Sequence, residues 1–202
     1  MAVKKTQNPA LQVASAIDEA MSLVGSRLFR EARLVLEQAE LIEKNASLPP
    51  SAFLAWGLSV VADECGDAVN AVKFVKAALR LDPCAPPFIN SYKIIRGRTI
   101  LAFTSMDVDD LKIPVFFRLL VDLDAVDATA CLKFSRHAAA HGDPIRALAL
   151  AQDAVQLQPP TAERLRHLAG LLARAGRHEE ARARLREAET LAVTFSCPAA
   201  EA

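Results

Sequence analysis

The sequence predicts an all-α protein built as an array of helical hairpins, and three observations carry that reading. A nineteen-residue phrase occurs twice, as CGDAVNAVKFVKAALRLDP from Cys65 to Pro83 and as HGDPIRALALAQDAVQLQP from His141 to Pro159. Gly66 and Gly142, Asp67 and Asp143, Ala71 and Ala147, Ala78 and Ala154, Leu81 and Leu157, Pro83 and Pro159 all fall in register. With 7 glycines in 202 residues, abundant Ala, Leu, Arg and Glu, and no period-two stretch, the chain favours helix nearly everywhere. A further copy follows the second at once, with 34 residues between Ala147 and Ala181.

The elements follow in order. Residues 1–10 read as a flexible lead, and the first hairpin spans about 11–45, where LFREARLVLEQAELI places Ala32, Leu36 and Ala39 on one face. In the second hairpin, about 52–84, Ala55, Leu58, Ser59 and Ala62 form the stripe of the first helix. Gly66 then suits the left-handed position that ends a helix, and Asp67 caps the next. Ala71, Val75 and Ala78 share one narrow face of that helix, small enough for a close neighbour, and Pro83 stops it.

Residues 86–127 depart from this pattern. They read as a helix from about Pro87 to Thr104 and another from about Leu111 to Leu123, with Pro114 tolerated in a first turn. This block is 42 residues long, its extra length sits in TSMDVDDLKI, and the small seam residues are largely missing. Continuity of the array is therefore left open here. The pattern returns in 128–160, with Cys131, Phe134, Ser135 and Ala138 opposite Ala147, Ala151 and Ala154. In 161–194 it reads Leu165, Leu168, Ala169 and Leu172, then Gly176, then Ala181, Leu185 and Ala188. Residues 196–202 read as a flexible end.

A 34-residue period, the order small-large-small and a terminal proline resemble the tetratricopeptide repeat, over roughly three-quarters of the chain. The resemblance implies a right-handed superhelix, a single domain over 11–195, and a role in docking peptides or proteins without catalysis. Size is also similar to the small tetratricopeptide chaperones of bacterial type III secretion, although nothing beyond the repeat resembles them.

Composition narrows the function. A net charge of +0 gives no global pull toward nucleic acid or anionic membrane. No stretch approaches the ~20 apolar residues of a membrane span. MAVKKTQNP has two lysines without a following apolar run, so no secretory signal is expected and the chain reads as cytoplasmic. Cys65, Cys84, Cys131 and Cys197 lack CxxC spacing and read as reduced, mostly buried thiols.

Nothing in the sequence builds an active site, and no cofactor or metal is expected. His137 and His141 are four apart, a spacing able to face a metal, but no third ligand accompanies them. Asp107, Asp109 and Asp110 lack the glycine and glutamate of a calcium loop, and capping accounts for them better. The arginines from Arg164 to Arg186 interleave with Glu163, Glu179, Glu180, Glu187 and Glu189, which describes a solvated, ion-paired face.

A stack of hairpins lines its concave wall with the first helix of each pair. Once the seam is assigned, Phe53, Trp56 and Val60 are left over at one end, and Lys133, Arg136, Arg166, His167 and Arg174 at the other. Tyr92, Lys93 and Arg96 lie between. Such a groove suits a protein or peptide segment with an apolar anchor and an acidic stretch. Two classes of function fit, an adaptor joining proteins and a chaperone holding an aggregation-prone client. A homo-oligomer is left open.

Overall fold

The computed structural model describes residues 8–196, which form ten α-helices and, among the described residues, no strand. They are α1 (Pro9–Gly25), α2 (Phe29–Asn45), α3 (Ala52–Glu64), α4 (Ala68–Leu81), α5 (Pro86–Ser105), α6 (Ile113–Asp122), α7 (Ala128–Ala140), α8 (Pro144–Gln156), α9 (Ala162–Arg174) and α10 (His178–Ser196). Two compact units divide between Thr99 and Ile100, inside α5. In the first, α1 pairs with α2, α3 with α4, and α2 stacks on α3; in the second, α7 pairs with α8, α9 with α10, and α8 stacks on α9. The fold is thus all-α and made of stacked helical hairpins, as the sequence predicts.

Six helix ends close in one geometry. Gly66, Gly142 and Gly176 adopt φ of 75°, 77° and 77°. One residue later the chain bonds back: the Asp67 amide donates to Ala62 at 2.8 Å, Asp143 to Ala138 at 2.9 Å and Arg177 to Leu172 at 2.9 Å. The same backward bond joins Leu28 to Leu23, Leu48 to Glu43 and Ala125 to Leu120. There the left-handed residue is Arg27, Ser47 or Asp124, each at positive φ. Side chains in that conformation cost about 1–2 kcal/mol, so the turn is imposed by the helices it joins. Asp67 and Asp143 then cap α4 and α8 by accepting from Asn70 and Arg146 amides, as their position predicts.

The small residues lie in the seams. Ala32, Leu36, Ala39, Ala71, Val75, Ala78, Ala147, Ala154 and Ala188 are fully buried, and Ala151 and Ala181 nearly so. Leu185 corrects the pattern: it is 43% exposed, on the outer side of a helix with no further hairpin stacked on it among the described residues. Gly57 is a seam residue the pattern overlooks. A Cβ there would meet the Leu36 side chain at 3.2 Å, so its absence lets α2 and α3 approach.

The irregular pair is built differently. Its helices sit within two residues of the expected ends, Pro114 falls in the first turn of α6, and the extra length forms the connection 106–112. Bulky Phe103, Ile113, Leu120 and Phe134, with Phe116 and Phe117 beside them, replace the alanine seam. The connection is secured from α7, because His137 Nδ1 lies 2.6 Å from the Val108 carbonyl. Lys133 Nζ donates to the carbonyls of Phe103 and Thr104 at 2.7 and 2.8 Å, closing the end of α5.

Two further expectations change. Cys65 and Cys84 are exposed rather than buried, whereas Cys131 is buried as expected; Cys197 lies outside the described residues. Of the expected flexible ends, 1–7 and 197–202 also lie outside them. Asn8 caps α1, Pro9 and Ala10 are helical, and Ser196 ends α10.

Candidate protein-binding surface

Phe53, Trp56 and Val60 fall on one side of α3 because they recur at spacings of three and four. Val60 is partly buried. Phe88, from the first turn of α5, is fully buried and packs among Ala52, Ala55, Ala78 and Leu79. Its ring supports the other two aromatics: Phe53 meets it edge-on at 5.2 Å between centroids, and Trp56 lies 6.0 Å away. Phe53 and Trp56 are themselves edge-to-face at 6.2 Å. The Trp56 indole is partly buried, and its Nε1 donates to the Ser91 hydroxyl at 2.8 Å. The Trp56 carbonyl accepts from Ser59 Oγ at 2.7 Å.

Phe53 is different. It is 52% exposed although both its ring neighbours are fixed. At the far end of the same helix pair, Arg98 of α5 binds the carboxylates of Asp63 and Glu64. Burial pushes the Asp63 carboxyl up in spite of the Arg98 charge beside it. Helices α3 and α5 are therefore tied at both ends. Lys93 on α5 is exposed, while Tyr92 and Arg96 are partly buried with interactions of their own.

The other predicted site residues belong to the second unit. Lys133 is committed to the end of α5, where burial lowers its pKa, so its ammonium is a structural cap rather than a free basic group. Arg136 pairs with Glu163 at 2.7 Å, and both side chains are well exposed. Such a pair contributes about 0.2–1 kcal/mol. Arg166 and Arg174 are exposed on α9. His167 turns inward: its Nε2 lies 2.8 Å from Ser135 Oγ, and that hydroxyl donates to the Ala147 carbonyl at 2.7 Å. With its proton so placed, the serine accepts from the histidine. Burial, and then the Arg136 charge, push His167 below its usual 6.5. The sequence displayed both residues but not the link, because Ser135 passes for one more small seam residue.

His137 and His141 stack at 4.0 Å between ring centroids. Each Nδ1 faces a carbonyl, Val108 for one and His137 for the other. Among the described residues, no group of three or more His, Cys, Asp or Glu could hold a metal. The capping expected of the aspartates is not what the structure shows: Asp110 accepts from the Lys112 amide at 2.8 Å in a local turn, and α6 begins after Lys112 without a side-chain cap. Along α10, Arg182 pairs with Glu179 and Arg184 with Glu187, as a solvated charged face requires. Among the described residues no helix is long and apolar enough to cross a membrane.

No family model matches the chain, and neither does any curated protein. Among solved structures, it is similar to MamA (41-end) from Desulfovibrio magneticus RS-1, with 15% identity and a TM-score of 0.38 over 92% of this chain and 98% of that one. PilF of Pseudomonas aeruginosa gives 14% identity and a TM-score of 0.41 over 89% and 78% of the two chains. TTC0263, described as a thermophilic TPR protein in Thermus thermophilus, gives 19% and 0.38 over 89% and 91%.

Proposed function

We propose that the chain is a non-catalytic scaffold of the tetratricopeptide kind, which docks a peptide or protein segment against the aromatic surface of α3 and α5. One observation carries this reading: Phe53 stays half-exposed on a platform whose other rings, Phe88 and Trp56, are anchored. A rigid aromatic edge offers contact area at little entropic cost, which suits an apolar anchor residue of a partner. Val60 of α3 and Tyr92 and Arg96 of α5 are assigned to the same surface, and exposed Lys93 supplies charge for register and encounter. In the second unit, Arg136, Arg166 and Arg174 supply a separate basic surface for acidic segments, with Lys133 contributing through the fold.

The test is comparative capture from the native cell with the full chain as bait. A partner held in stoichiometric amount should be lost with Phe53→Asp and kept with Leu185→Asp, an exposed apolar site on α10. The same proteins captured by all three baits would sink the reading. A partner that precipitates when produced alone would make the scaffold a client-holding chaperone; a stable one would make it an adaptor.

A further inference from the structure

The bulky residues of the irregular pair leave a consequence on the other side of α7. A cleft of about 630 Å³ lies among α6, α7 and α8, with Phe117, Val126, Cys131 and Leu150 lining it and Val121 and Leu157 at its rim. Its origin is steric. Where the regular hairpins join through alanines, α6 brings Phe117, whose ring stands 4.4 Å from Phe134 between centroids and props the helices apart. A volume of this size would suit a small ligand, but small-molecule sites enclose roughly 70–90% of their ligand. Here Val121 and Leu157 are each 52% exposed, so the cleft is open along its edge. That shape fits a side of a polypeptide rather than an enclosed molecule.

Charge specifies the occupant further. Asp124 and Asp153 also line the cleft, Gln156 adds an amide, and no cation is among the lining residues. Asp153 stands in the last turn of α8, where the helix dipole favours a cation, and it forms no ion pair among the described residues. The carboxylate is also felt inside: burial first, then Asp153 and Asp127, hold the Cys131 thiol up to about 11. A cation arriving from a partner would relieve both the dipole and the carboxylate. We propose that this cleft is a second docking site, which takes an amphipathic helical segment of a partner protein whose apolar side chain is flanked by lysine or arginine. It is independent of the α3–α5 surface, and its ligand has the opposite charge to an acidic segment.

The test uses the full chain with two synthetic peptides of fourteen residues and identical leucines at helical spacings of three and four, one carrying lysine at the remaining positions of the opposite face and one glutamate. Binding is followed by calorimetry and by methyl spectra assigned for Val121, Val126, Leu150 and Leu157. The lysine peptide should bind at least tenfold more tightly than the glutamate peptide and move these four methyl groups. Asp153→Lys, an exposed change that suits the helix end, should cost the lysine peptide at least tenfold. Trp56→Ala should leave its affinity unchanged, which separates this site from the first. Equal affinities, no binding of either peptide, shifts confined to other methyls, or indifference to Asp153→Lys would each overturn the proposal. Saturation of the same methyls by dodecyltrimethylammonium in place of the lysine peptide would overturn it too, in favour of a small-molecule site.

Discussion

Trp56 on α3 and Ser91 on α5 stand thirty-five residues apart, and the indole Nε1 donates to the serine hydroxyl at 2.8 Å. This bond fixes the orientation of the only tryptophan and, through ring contacts, of half-exposed Phe53. Ser91→Ala leaves the indole N–H without its partner in a partly buried place. A loss of about 1 kcal/mol in unfolding free energy is expected, with a red shift of the emission as water reaches the ring. Urea titration followed by fluorescence checks both. An unchanged spectrum and midpoint would mean that the indole is held by packing alone.

The seams offer a sharper test of the repeat alignment. Ala147 is fully buried between α7 and α8, and Ala181 is 4% exposed at the corresponding place 34 residues on. Leucine at either site overfills a gap sized for a methyl group and should destabilise by about 1–3 kcal/mol. Leucine at Ala173, exposed on α9, should leave the urea midpoint where it is. Three equal midpoints would disprove the seam assignment.

At the helix ends, the sign of a glycine exchange depends on the corner. Gly142 is at φ 77° with open space around a would-be Cβ, so Gly142→Ala suffers backbone strain alone and should cost about 1 kcal/mol. Arg27 and Ser47 are the reverse case, since both already bear side chains at positive φ. Arg27→Gly and Ser47→Gly should each stabilise by up to about 1 kcal/mol, with the gain in backbone freedom of the unfolded chain offsetting part of the relief. Thermal midpoints that fall in both glycine variants would refute this account.

These corners also show why part of the fold was legible and part was not. Gly66, Gly142 and Gly176 announce their turns, because only glycine is unstrained there. Arg27, Ser47 and Asp124 make the same turn silently, since the flanking helices enforce it. The alanine seams were legible because small residues at spacings of three and four have few other uses in a helix. Leu185 misled because the repeat pattern marks it as a seam position, whereas among the described residues no further hairpin stacks on α10. For the candidate site, the sequence could set Phe53 and Trp56 apart from the seam, but Phe88, which supports them, looked like part of an irregular pair. Lys133 was counted as free charge because nothing local reveals that the carbonyls of Phe103 and Thr104 lie against it.

His167 should make the second unit sensitive to acid. In the folded chain its Nε2 donates to Ser135, burial and Arg136 disfavour its cation, and Glu163 only partly opposes them, so its pKa lies below 6.5. In the unfolded chain it titrates near that ordinary value. As pH falls through about 6.5, the unfolded state therefore takes up a proton that the folded state refuses, and stability declines until the lower folded pKa is reached. Above about pH 7 the residue is neutral in both states and contributes no slope. His167→Gln keeps an amide N–H within reach of Ser135 Oγ but does not titrate. Unfolding free energies from urea titrations at intervals between about pH 7.5 and 5 should fall more steeply for the parent than for this variant, the difference isolating His167 from the other histidines. Parallel profiles would show that the imidazole charges as readily folded as unfolded, and that Ser135 does not hold it in a buried, neutral form.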